Sequence, residues 1–376
     1  MNVLVTGGAG FIGTHLLRAL IADHQVTVVD NFSPQVHGTT DMLADDLCRS
    51  VRLVRGDVRD AALWTEVLPE QEAVIHLAAE TGTGQSMYAV TQYEQVNLGG
   101  TAMLCEQLLK GRGYQVERLI VASSRALYGE GAYRCGAHGI VYPSSRSTAD
   151  KKHGLFDPLC PICAHTVQPI PTPESAPAQP SSFYGLTKQV QEQMILMFGR
   201  LLGTPAIALR YQNVFGPGQS LANPYTGILA IFSNLAKESR SISVFEDGKE
   251  SRDFVYVDDV VAATRQALIK PIQGSHAVNV GSGISTTVQE VAREIVAFYG
   301  SGSEIKVTGA FRDGDIRHGR ADLSKVTALL GYNPRWSFQE GLREFLRWAQ
   351  ERAPATGQAK YEASLKELRD QGLLHG

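Results

Sequence analysis

No stretch of the 376 residues approaches the run of about 18–20 apolar residues that a membrane-spanning helix needs, so no membrane partner is expected. Charge of one sign is lacking too. Thirty-five Lys and Arg stand against 38 Asp and Glu, a formal net charge of −3. That balance argues against non-specific nucleic-acid binding, which normally requires a basic face. Cysteine is scarce and odd in number, five in all, which argues against a disulfide framework and for a reducing compartment. Met1 leads straight into NVLVT, without the basic and apolar regions of a signal peptide. A cytoplasmic protein is the expectation. Internal repeats are also lacking.

What is present is alternation. NVLVT (2–6), QVTVVD (25–30), VRLVRGD (51–57), EAVIHLA (72–78), VERLIVASS (116–124) and PAIALRY (205–211) read as strands buried on both faces. Residues 11–22, 60–68, 91–111 and 183–202 have the spacing of amphipathic helices. This order predicts an α/β fold, a doubly wound parallel sheet with helices on both faces. Residues 130–180, rich in Gly, Pro, Ser and Cys, interrupt the rhythm, and elements beyond 213 are shorter. The expected organisation is a nucleotide-binding domain of 1–129, 181–213 and 253–281, with an inserted loop module at 130–180. A smaller α+β lobe of 214–252 and 282–350 follows, then a helical tail at 351–376.

Gly7, Gly10 and Gly13 follow the first strand and open the first helix. Gly7 permits the tight turn, Gly10 lets a pyrophosphate approach the backbone, and Gly13 allows helix and sheet to pack closely. The helix N-terminus offers N–H groups to phosphate. Seventeen residues after Gly13 the second strand ends in Asp30, whose carboxylate can accept from ribose hydroxyls and would repel a 2′-phosphate. No Lys or Arg follows in Asn31-Phe32-Ser33. A Rossmann-type site for NAD rather than NADP is therefore expected; an ordinary strand-end cap is the plainer reading of Asp30. Asp57 and Val58, at the end of the third strand, are placed to touch the adenine.

Tyr184 and Lys188 lie four residues apart on one face of a helix. A free tyrosine titrates near 10; an ammonium and the positive nicotinamide ring favour the phenolate. The phenol can then exchange a proton with a substrate hydroxyl while hydride moves to or from NAD. Alone the pair is an ordinary surface feature. Its weight comes from the glycine loop and from Ser123-Ser124 at the end of the fifth strand, where an open parallel sheet binds its ligands.

The sequence resembles the extended short-chain dehydrogenase/reductases, in their nucleotide-sugar epimerase and dehydratase branch. The resemblance covers residues 1–350 apart from 130–180. It rests on TGGAGFIG (6–13), GDVRD (56–60), HLAAE (76–80), SSRALYG (123–129), YGLTK (184–188), LRYQNVFGPGQ (209–219), RDFVYVDD (252–259) and GDIRHGRADLSK (314–325). It implies Ser124, Tyr184 and Lys188 as a catalytic triad. It implies a cofactor site that takes in Phe11, Ile12, Asn31, Leu77, Ala78, Ala79 and Asn97, with Tyr184 and Lys188 at its edge. Asn213 and Arg125 would face the substrate, and Arg252 with one or both of Arg312 and Arg317 would hold the diphosphate of a sugar nucleotide. Guanidinium forks suit phosphate oxygens, although each arginine taken alone reads as a surface ion pair. A homodimer built on two helices of each subunit is implied as well.

Within that branch, 4,6-dehydratases carry an Asp-Glu pair directly after the hydroxyl residue, and decarboxylating relatives keep an acid there. This chain has Arg125-Ala126, which leaves oxidation at carbon 4 and its reversal. Arg125 is itself a departure from the small residue usual in hexose epimerases. YGEGAYRCGAHG, CPIC and the ending YEASLKELRDQGLL resemble the dTDP-L-rhamnose 4-epimerases, which implies a dTDP-sugar substrate. Alternatives are a 4-ketoreductase or dehydrogenase of a sugar nucleotide, a UDP-hexose 4-epimerase and, from another class, a non-catalytic NAD-binding scaffold.

Tyr128 to Tyr184 spans 56 residues, longer than in typical relatives. The extra length contains Cys135-x-x-His138 and Cys160-x-x-Cys163, a donor set for tetrahedral zinc with no open position, hence a structural site. So polar a segment has little apolar surface to offset its ordering entropy, and metal ligation would supply the difference. His153 and His165 are alternative fourth ligands. A redox pair and unliganded loop thiols are the competing readings. Cys48 and Cys105 are expected to be buried and inert.

Overall fold

The computed structural model describes residues 1–111, 114–221, 223, 227–352 and 357–376, with the backbone alone for 357–360. Its centre is a seven-stranded sheet of β1 (Asn2–Thr6), β2 (Gln25–Asp30), β3 (Val51–Arg55), β4 (Ala73–His76), β5 (Arg118–Ser124), β6 (Ala206–Tyr211) and β7 (Ser275–Val280). The order across the sheet is β7-β6-β5-β4-β1-β2-β3, and every pairing is parallel. Apolar residues on successive positions serve opposite faces. Val3, Val5, Val26, Val28 and Ile75 belong to one buried cluster, while Leu4, Val74, Leu119 and Val121 belong to the other. The strand order reverses between β1 and β4, and ligands of such sheets bind beyond the carboxyl ends at that point.

The predicted helix 91–111 is continuous but not uniform. Val90–Tyr93 is α-helical, Glu94–Gly99 is a π-helical segment, and Gly100–Lys110 is α-helical again. The long helix Phe183–Leu202 starts where Ser182 accepts from Gly185 N at 3.1 Å and stops at left-handed Gly203. These two helical stretches pack side by side. Beyond β6, the helices Ile228–Lys237 and Val288–Tyr299 and the parallel pair Ile242–Val244 with Ile305–Val307 form a smaller lobe.

The inserted segment has structure of its own. Tyr133–Cys135 pairs with Gly139–Val141 and with Gln168–Pro169 in a three-stranded sheet. Arg146 anchors it to the lobe: its guanidinium donates to Glu130, Glu246, the Phe156 carbonyl and the Asp315 carbonyl, all at 2.8–2.9 Å. The chain closes with the tail helix Gly357–Asp370 and a short strand, Leu374–His375, that pairs antiparallel with Phe311–Arg312. Among the described residues no helix is long and apolar enough to cross a membrane.

Candidate active site

A cavity of about 560 Å³ opens at the carboxyl ends of the central strands, between the sheet, the smaller lobe and the tail helix. All the sequence-predicted cofactor residues except Asn97 line it. Gly7 has φ +67°, and a Cβ there would lie 2.8 Å from Ala78 N; at Gly13 it would lie 2.5 Å from Gly8 O. Any side chain at either position would force the loop off β4 or away from its helix. Gly10 caps the helix Phe11–Leu20 without a side-chain bond, so its first-turn N–H groups remain available to an anion. Asp30 accepts from Ala9 N at 3.0 Å and Phe32 N at 2.9 Å, bracing the loop. A carboxylate has about four acceptor sites, so it retains capacity for ribose hydroxyls. Glycine cradle, open helix end and strand-end carboxylate together fit a dinucleotide.

Ser124, Arg125, Tyr184 and Lys188 meet at the inner end of the cavity. Tyr184 lies beside the Ser124 hydroxyl, and its backbone N donates to Ser86 Oγ at 2.9 Å. Burial pushes the phenol above the usual tyrosine range, opposed by the Ser124 hydroxyl and the Arg125 charge. Lys188, buried, donates to Ala122 O and Gln191 Oε1, each at 2.8 Å. Burial brings its amine down to about 7. The Arg125 charge also acts on Tyr184, a cation that the sequence reading did not assign to it. Burial lowers Arg125 to about 10, with the Arg252 charge adding to the effect.

At the outer end, Arg252 and Arg312 line the cavity with Asp315, which accepts from Arg312 Nε at 2.9 Å. Asn213 Oδ1, Gln219 Oε1 and Glu250 Oε2 are buried lining atoms without a partner among the described residues. Burial pushes the Glu250 carboxyl up to about 7. Polar atoms left unmatched in the wall of a cavity are where a ligand, with a small side-chain adjustment, can supply the hydrogen bonds.

Three predicted positions lie elsewhere. Arg317 is 1% exposed and faces away from the cavity, donating to Asp157 at 2.8 Å, to Glu246 at 3.0 Å and to Asp247 at 2.6 and 2.9 Å. Its fork is engaged by carboxylates and is not free for phosphate. Asn97 is fully buried and joins Glu80 to Thr187, whose hydroxyl donates to Tyr184 O at 2.8 Å. It holds the site without lining it. Cys48, expected to be buried, is exposed, whereas Cys105 is buried and its thiol is pushed up to about 12.

A second constellation gathers in the insertion. The donor atoms of Cys135, His138, Cys160 and Cys163 all lie within 4.8 Å of one another. Cys135 Sγ is 3.6 Å from His138 Nδ1 and 3.7 Å from Cys163 Sγ, and Cys160 Sγ is 3.7 Å from His138 Nδ1. The backbone N–H of Ala137 and the His138 ring bring the Cys135 thiol down to about 6. His153 is instead bonded to Ala149 O at 2.8 Å, and neither it nor His165 belongs to the cluster.

The profile of the NAD dependent epimerase/dehydratase family matches residues 3–281. The chain belongs to that family. Among its relatives, the dTDP-L-rhamnose 4-epimerase of Burkholderia thailandensis is 42% identical over 92% of this chain and 94% of that protein. The UDP-glucose 4-epimerase of Thermotoga maritima, solved with UDP-glucose, superposes with a TM-score of 0.75 at 29% identity, over 93% of this chain and 99% of the other. The Thermus thermophilus UDP-glucose 4-epimerase, solved with NAD, gives 0.72 at 28% identity, over 94% and 100%. This epimerase/dehydratase chain is thus an NAD-dependent enzyme of the family.

Sequence reasoning missed Ser86, Gln219, Glu250, Asp315 and the tail residues Tyr361, Ser364, Leu365 and Leu368, all but Ser86 in the cavity wall. The tail carried a usable signal, since 361, 364, 365 and 368 share one helical face. The others carried none, because burial without a partner is not written in local sequence.

Proposed function

We propose that the protein is an NAD-dependent sugar-nucleotide 4-epimerase acting through a transient 4-keto sugar, and that its substrates are dTDP-L-rhamnose and dTDP-6-deoxy-L-talose. The observation that carries this reading is the placing of Ser124 and Tyr184 together in the cavity that the glycine cradle also lines, with Arg125 following Ser124 where eliminating relatives keep an acid. Bound NAD supplies hydride acceptance and return at carbon 4. The chain does the rest. Tyr184 takes the proton of the carbon-4 hydroxyl and gives it back, with Ser124 hydrogen-bonded to the same oxygen. Arg125 favours the phenolate. Lys188 ties the helix to β5 through Ala122, Arg252 and Arg312 hold the diphosphate, and Asn213 offers its unpaired oxygen to the sugar nucleotide. The similarity to the Burkholderia thailandensis protein supports the choice of sugar. Incubation with dTDP-L-rhamnose, followed by NMR and absorbance, is the test. A second sugar nucleotide without net NADH is expected; stoichiometric NADH would make the enzyme a dehydrogenase.

Cys135, His138, Cys160 and Cys163 would hold a structural zinc ion. Three thiolates and one imidazole around a tetrahedral centre, with Zn–S near 2.3 Å and Zn–N near 2.0–2.1 Å, stand about 3.5–3.8 Å apart. The separations of 3.6, 3.7 and 3.7 Å fit that figure. The enzyme would work in the cytoplasm as a homodimer. Leu109, Met197 and Leu201, exposed on the adjacent helices Gly100–Lys110 and Phe183–Leu202, supply apolar surface for the partner. Sedimentation velocity distinguishes dimer from monomer.

A further inference from the structure

The tail helix lies against both ends of the cavity. Tyr361, Ser364, Leu365 and Leu368 line it, at positions i, i+3, i+4 and i+7, so one face of the helix forms a wall of the site. The opposite positions Glu362, Lys366 and Arg369 are exposed and charged. Tyr361 lies close enough to Arg312 for each to perturb the other's ionisation, at the end assigned to the diphosphate. Seven residues later, two turns or about 10 Å along the axis, Leu368 stands 3.6 Å from the place a Cβ on Gly84 would occupy. Gly84 also lines the cavity, two residues before the Ser86 that holds Tyr184 N. Two ties fix this placement: Tyr88 donates to Glu367 at 2.9 Å, and the strand Leu374–His375 pairs with Phe311–Arg312 itself.

We infer that the tail helix selects the sugar, with Leu365 and Leu368 packing against carbon 6 and favouring a methyl group over a hydroxymethyl or carboxylate. The inference rests on the epimerase reading, which sets the hydroxyl at carbon 4 against Tyr184 and the phosphates against Arg252 and Arg312. A ring spanning those points lies alongside the tail. The residues facing it toward the Tyr184 end are leucines, which offer no hydrogen bond to a hydroxyl at carbon 6. An apolar wall rejects an added hydroxyl by a factor of about 10² at most, and a carboxylate far more strongly.

The test compares dTDP-L-rhamnose with dTDP-L-mannose, its counterpart with a hydroxyl at carbon 6, on the NAD-loaded full chain. Calorimetric affinity and epimerisation are both read for wild type, Leu368→Ser and the less buried Leu365→Ser, each checked for a cooperative unfolding transition. The wild type should favour the 6-deoxy sugar by about ten- to a hundredfold, and either serine should shrink that ratio at least about fivefold. NAD affinity should not change. A ratio that holds in both folded variants while the two affinities fall together overturns the inference, leaving the tail a structural cover. Binding with the expected ratios but no epimerisation overturns the proposed activity alone. If neither sugar nucleotide binds the wild type, both fall.

Discussion

The Arg125 charge and the Tyr184 phenol perturb each other's ionisation at the inner end of the cavity, while Lys188 donates to Ala122 O and Gln191 Oε1. The Arg125 guanidinium makes no hydrogen bond to another described residue, so its charge is available to the phenolate and to substrate. Arg125→Met should move the rising limb of the pH–rate profile to higher pH and lower kcat about tenfold at neutral pH, one pKa unit being one decade. Initial rates across pH check this; an unmoved limb would assign the titration to another group.

Lys188 gives a pH-dependent stability. An unfolded lysine titrates near 10.4, and the native amine is brought down to about 7 by burial. Between those values the unfolded chain holds the proton and the native chain does not, so stability rises with pH across that window and falls as pH drops toward 7. Lys188→Met should abolish that rise, seen as parallel urea midpoints at pH 7 and pH 9 where the wild type gains.

Arg317 should prove structural. Replacing it with Met leaves Glu246, buried, and Asp247 short of a partner, a change that costs about 3–5 kcal/mol when a buried ion pair is broken. Urea unfolding should register the loss, with KM for the sugar nucleotide nearly constant in the folded fraction. Arg252→Ala should do the reverse, raising KM with little change in unfolding midpoint.

Protein purified without chelator should contain close to one zinc per chain; less than about 0.2 equivalents would remove the metal from the account. Stripping it should lower the thermal midpoint and raise KM, because Arg146 links the insertion to the Asp315 carbonyl at 2.9 Å. NAD affinity should hold, since the glycine loop is braced by Asp30 and makes no hydrogen bond to the insertion among the described residues.

The strands β1 to β6 were legible in the sequence because their signal is local: runs such as VLV and VTVV bury both faces, and their alternation with helices assigns such runs to a parallel sheet. The seventh, SHAVNV, begins with Ser and His and is buried only over its last three residues, which hides it. The glycine loop and Tyr184–Lys188 were readable because spacing alone assigns them to one turn or one face. Arg317 was not. Its partners Asp157, Glu246 and Asp247 come from separate segments, and the GDIRHGR stretch does not reveal which arginine meets them. Where the tail docks was hidden for the same reason: the Tyr88–Glu367 bond closes a gap of 279 residues, and only the folded chain brings those ends together.

The π-helical segment Glu94–Gly99 has a consequence for how this chain tolerates change in length. Such segments accommodate one residue more than an α-helix would, and here the widened turn carries Asn97, the side chain joining Glu80 to Thr187. Deleting a single residue from 94–99 would close the widened turn to regular winding and leave the flanking turns in phase. The turn itself would be rebuilt, and Asn97 would lose its place between Glu80 and Thr187. A conservative point mutation elsewhere on this helix should be absorbed, but a one-codon deletion here should cut the tie between Glu80 and the first turn of the Tyr184 helix.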